Sequence, residues 1–146
     1  MFAKRGIWLA YLIVFVSSTC TMVIELVAGR IMAPYIGVSL YTWTSIIGVV
    51  LAGISLGNFL GGVVADRRAT REVLGLVFLG GGLASLAILV TTHVVVSAPL
   101  QLDLIPKIVL FTTAIFFLPA LVLGMVSPIV IKLALADLAH SGGTVG

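Results

Sequence analysis

A carboxylate inside an otherwise apolar stretch is the first feature whose chemistry demands an explanation. Glu25 follows Tyr11, Ser18 and Thr21 at spacings of seven, three and four, which puts the four side chains on one helical face. That face is expected to look inward, towards protein or water. A carboxylate in a membrane span is costly, so Glu25 reads as a cation-binding or proton-carrying group. If a helix enters the bilayer near residue 7, Glu25 lies about 27 Å along it, towards the far boundary. There it also reads as a hydrated or ion-paired group, with Arg30 as the partner. Five residues is a poor helical spacing for such a pair, so Arg30 has to bend back or meet a different partner. Both readings stay open on the sequence.

The elements that must hold these groups follow from composition. Of 146 residues, 61% are hydrophobic and 9% charged, and the mean hydropathy of +1.31 is that of a chain whose solvent is lipid. Charged residues divide the sequence into apolar runs, each long enough to cross about 30 Å of hydrocarbon. The runs are continuously apolar rather than alternating, so helices are expected instead of a barrel. The predicted fold is all-α: one integral membrane domain over residues 1–146, a bundle of about four transmembrane helices near 7–29, 42–65, 73–96 and 107–134.

Lys4, Arg5, Arg67, Arg68, Arg71 and Lys132 fall on one side of such a bundle. The positive-inside bias makes that side cytoplasmic, with both termini there and the protein in the cell inner membrane. Arg30 and Lys107 are left for the other face, where Tyr35, Tyr41 and Trp43 suggest an interfacial aromatic belt. The net charge of +3 is therefore a topology signal, and no basic stripe points to nucleic acid.

Packing residues are also legible. Gly53, Gly57 and Gly61 recur every four residues in the second span and give a face that another helix can approach closely. Asn58 beside them is expected to hydrogen-bond to a neighbouring helix, and Gly80-Gly81-Gly82 in the third span points to close packing there too. Pro119, Gly124 and Pro128 predict a bent fourth helix. Cys20, the single cysteine, excludes an internal disulfide and reads as a small buried apolar residue. Ser17-Ser18-Thr19-Cys20 is a poor lipoprotein cleavage box because apolar sequence continues past it. His93 and His140 read as separate interfacial polar residues. No nucleophile, base and orienting group form a catalytic set, and neither a metal nor a cofactor is expected.

The segment Gly62-Val63-Val64-Ala65-Asp66-Arg67-Arg68-Ala69-Thr70-Arg71 resembles the signature loop of the major facilitator superfamily, although the family's glycine after the acid is replaced. The resemblance implies that Asp66 pairs with a neighbouring basic residue or helix terminus and forms a cytoplasmic latch, with Gly62, Arg67 and Arg71 completing the loop. A hydrated turn obeying the positive-inside bias is the plainer alternative.

A second resemblance runs through Glu25-Leu26-Val27-Ala28-Gly29-Arg30, Ala33-Pro34, Tyr41-Thr42-Trp43-Thr44-Ser45, Gly53-Ile54-Ser55-Leu56-Gly57-Asn58 and Ser127-Pro128. Together these are similar to the N-terminal membrane region of bacterial fused major-facilitator and spermidine-synthase proteins. In that family a cytosolic aminopropyltransferase-like domain follows the membrane region. Its glycine-rich cofactor loop and catalytic acids do not occur in these 146 residues, so no enzyme activity is expected of them. The resemblance implies a bundle like part of a major facilitator half, handling a small cationic substrate such as a polyamine. The partners expected are the lipid bilayer and either further copies of the chain or other membrane subunits. A non-transporting anchor in a larger membrane complex is the alternative.

Overall fold

The computed structural model describes residues 2–97 and 101–142, with side chains described for 7–97 and 101–136. Every described element is a helix: α1 (Phe2–Ile36), α2 (Leu40–Arg68), α3 (Arg71–Ser97), α4 (Leu104–Gly124) and α5 (Val126–Gly142). Four stretches are long and apolar enough to cross a membrane: Ile7–Ile36, Leu40–Arg68, Arg71–Ser97 and Leu104–Ala136, the last combining α4 with much of α5. The architecture is thus all-α, with four helices that could each span a bilayer.

The first span runs seven residues past its expected end at residue 29. Pro34 sits in the last turn, where its missing N–H costs a single helical bond, so the helix continues to Ile36. It stops at Gly37, whose φ of +82° is left-handed backbone that other residues avoid. A tight turn then leads into α2. The Ser39 hydroxyl accepts from the Thr42 amide at 3.2 Å, while the Thr42 hydroxyl donates to the Gly37 carbonyl at 3.2 Å. At the opposite end only Ala69 and Thr70 separate α2 from α3, and the Thr70 hydroxyl caps α3 by accepting from the Val73 amide.

The expected bend in the fourth span is a break. Pro128 lacks the N–H that would bond the Gly124 carbonyl, so the ladder is interrupted one turn earlier, and the Met125 amide closes a tighter turn on Val122 instead. Pro119, in contrast, is accommodated inside α4.

α4 is the central element. Its buried side chains include Phe111, Ile115, Phe116 and Ala120, which meet Ala28 and Met32 of α1, Ile46 and Val50 of α2, and Ile88 of α3 in one cluster. The most extensive packing joins α2 to α4, followed by α3 to α4. Gly53, Gly57 and Gly61 are all buried on the α2 side of this contact. A Cβ on Gly53 would stand 2.8 Å from the Ala120 Cβ, one on Gly57 would collide with the Leu121 carbonyl oxygen, and one on Gly61 would lie 2.6 Å from the Met125 carbonyl oxygen. Gly124 completes the contact from the other helix, since a Cβ there would approach the Ile54 carbonyl oxygen at 2.8 Å. The backbones therefore touch with no side chain between them. In the third span Gly81 faces Leu123 and Gly80 faces Val122, whereas Gly82 has open space.

Candidate functional site

The α1 stripe is rotated from its expected setting. The residue buried against the bundle is Ser17, 3% exposed, whose hydroxyl donates to the Leu123 carbonyl at 3.3 Å. Ala28 and Met32 continue that line. Ser18, one residue and about 100° further round the helix, is exposed, as is Tyr11. Thr21 is half-buried and spends its hydroxyl on the Ser17 carbonyl at 3.1 Å. Glu25 is half-buried. Tyr11, Ser18 and Glu25 are seven residues apart and Gly29 is four further on, so all share one line of α1. Gly29 meets the Trp43 indole, whose nearest atom would be 2.7 Å from an added Cβ. The Glu25 line therefore runs along the flank of α1 that turns towards α2.

The longer helix also changes depth. With α1 (Phe2–Ile36) centred on a bilayer, Glu25 stands about 9 Å from the midplane and Arg30 about 16 Å, at the edge of the hydrocarbon. Among the described residues, Glu25 forms neither an ion pair nor a hydrogen bond, and it is not joined to Arg30. Five residues carry the chain about 140° round the helix, so the two charges face apart. Arg30 is exposed.

Asn58, expected to bond to a neighbouring helix, is exposed and has no hydrogen bond among the described residues. It lies one helical step away from Gly57, off the face that α4 covers. The polar pair that does clasp two spans is Ser45 of α2 with Thr112 of α4, hydroxyl to hydroxyl at 2.7 Å, and Thr112 also bonds the Ile108 carbonyl at 2.8 Å. Two hydroxyl residues in separate apolar runs were the available signal, and sequence reasoning passed over them. Cys20 is exposed rather than buried. A thiol is apolar enough to face hydrocarbon, so nothing forces it inside. His93 is exposed; His140 lies outside the residues whose side chains are described. Among the described residues no three His, Cys, Asp or Glu side chains gather where a metal ion could sit.

The loop resembling the facilitator signature is mostly helix. Gly62, Asp66 and Arg67 belong to the end of α2, and Arg71 opens α3. Asp66 Oδ1 accepts from Lys132 Nζ at 2.7 Å, tying the end of α2 to α5. Arg67 and Arg71 are exposed and make no ion pair among the described residues. The Asp66 and Lys132 side chains are 72% and 51% exposed, so water screens their attraction. Asp66→Asn is accordingly expected to lower stability by less than about 1 kcal/mol in thermal melting, and the reversed pair, Asp66→Lys with Lys132→Asp, to restore it.

Comparison with known proteins adds the following. Over 103 residues the chain is 34% identical to Polyamine aminopropyltransferase 1 and to Polyamine aminopropyltransferase 2 of Ralstonia nicotianae. The matched part is 69% of this chain but 20% of each relative, so the chain spans about a fifth of the length of these curated relatives. No family model matches, and no solved structure matches. The chain is thus a membrane-type helical region similar to part of two polyamine aminopropyltransferases.

Proposed function

We propose that this chain is a transporter-like membrane module, related to the membrane part of aminopropyltransferase-like proteins, that handles a small cation such as a polyamine. The observation that carries the reading is Glu25: a half-buried carboxylate inside the first long apolar helix, with no partner among the described residues. An uncompensated carboxylate there is expensive unless a cation, a proton or water satisfies it. The match to proteins named for polyamine chemistry supports a cationic substrate. The six basic residues that fall on one side of an even number of crossings support a topology with both termini on the cytoplasmic side of the inner membrane. Four spans enclose little cavity, so a second copy or other membrane subunits complete the path. No enzymatic step is assigned to these residues.

Glu25→Gln keeps the shape and much of the hydrogen bonding while removing the charge. In proteoliposomes it is expected to abolish spermidine or proton flux and to leave the melting temperature unchanged or raised, because no ion pair is broken. Stability effects of Glu25→Gln and Arg30→Gln should simply add, as for groups without shared contacts. Normal flux from a stable Glu25→Gln protein overturns the transport reading. A non-transporting anchor then leads, and the specific observation favouring it is that the matched relatives are about five times the length of the matched region.

A further inference from the structure

Between α1 and the start of α2, near the turn that joins them, lies a recess of about 480 Å³ lined by Val23, Leu26, Val27, Arg30 and Trp43. The four α1 residues follow the spacing i, i+3, i+4 and i+7, so they form one continuous strip, apolar along its length and cationic at its end. Gly29 allows the Trp43 indole to pack against the α1 backbone, which fixes one wall of the recess. Arg30 is exposed and makes no ion pair or hydrogen bond among the described residues. A guanidinium facing lipid without a counter-charge reaches for the interface, and the group of matching charge and geometry found there is a phosphate.

We infer that this recess binds one anionic phospholipid, its phosphate held by Arg30 and the start of an acyl chain lying along Val27, Leu26 and Val23. The dimensions agree with a lipid's own orientation. Arg30 stands near the hydrocarbon edge, and Val23 lies about 10 Å deeper along the helix, towards the bilayer centre. Charge complementarity selects the occupant: a purely apolar partner would leave Arg30 unsatisfied, and a zwitterionic lipid would offset its own phosphate. Glu25 is not among the residues that line the recess, and the inference stands whether or not the chain transports.

The chain contains two tryptophans, Trp8 and Trp43, so Trp8→Phe leaves Trp43 as the only indole reporter at the recess. The full chain carrying that change is reconstituted in phosphatidylcholine vesicles containing brominated phosphatidylglycerol or brominated phosphatidylcholine. Half-quenching of Trp43 is expected at about fivefold lower mole fraction of the brominated phosphatidylglycerol, the discrimination one basic group supports at a membrane surface. Arg30→Gln should abolish the preference, Arg30→Lys should keep part of it, and raised salt should weaken it. Equal quenching by both lipids, or a preference that survives Arg30→Gln, overturns the proposal. Protection from both lipids together with a cross-linked dimer also overturns it, by assigning the recess to a second copy. Should Arg30→Gln fail to fold, the folded Trp8→Phe protein decides: a phosphatidylglycerol preference insensitive to salt counts against the site.

Discussion

Replacing Gly57 with leucine is expected to unseat α4 from α2 and to lower the melting temperature more than any other single change on that contact. At this position the obstacle is the Leu121 carbonyl and the Gly124 Cα, both backbone atoms, so no rotamer change on the partner can make room. The helices must separate along their length, and every contact between them weakens together. Overpacking a core costs roughly 1–3 kcal/mol where neighbours can yield, and the upper end or beyond is expected where they cannot. Gly62→Ala supplies the control, because a Cβ on Gly62 meets nothing within 4 Å. Melting of both variants in one detergent checks the contrast: Gly57→Leu destabilised, Gly62→Ala within about 0.5 kcal/mol of the parent. Equal behaviour of the two would mean that α2 and α4 do not pack as described.

Phe116→Ala is the second large effect. Phe116 is fully buried at the junction of α1, α2, α3 and α4. In water its truncation would cost both transfer energy and a cavity. Between lipid-embedded helices the transfer part is nearly absent, since the separated helix would expose the ring to hydrocarbon. The cavity part remains: about 24 cal/mol per Å³ over a void on the order of 100 Å³ gives about 2 kcal/mol. Leu86 on α3 is 67% exposed, so Leu86→Ala removes few contacts within the bundle. A loss near 2 kcal/mol for Phe116→Ala beside almost none for Leu86→Ala, measured by reversible unfolding in mixed micelles, would support α4 as the centre of the bundle.

That contrast also explains what the sequence could and could not tell. Four apolar runs separated by charges made the four spans readable, because length and hydropathy suffice for that. The face of each span was harder. Lipid is as apolar as a protein core, so hydrophobic periodicity carries no information about which side of a membrane helix is covered. On α2 the small residues supplied the missing signal, since only a backbone contact makes glycine at every fourth position useful. On α1 the polar residues were the guide, and Ser17 and Ser18 are adjacent. The stripe of Tyr11, Ser18, Thr21 and Glu25 is the regular one and predicts the inward face, whereas Ser17 is the residue that bonds to α4. The span expected near 7–29 stops just short of Arg30, whereas α1 carries that exposed arginine within the helix and runs on to Ile36. The break at Met125 was expected as a bend; its form depends on how Pro128 and Gly124 combine, which composition alone does not show.

The central position of α4 bears on how the molecule is made. α2 and α3 are neighbours in sequence but barely touch; α4 lies between them and packs on both. During vectorial synthesis the first three spans leave the ribosome before α4 exists. Each is apolar enough to enter the bilayer alone, yet they have few surfaces for one another. Tertiary structure must therefore arrive late and almost at once, when α4 slides into place. Until then the nascent chain is a set of tethered helices with few contacts among them.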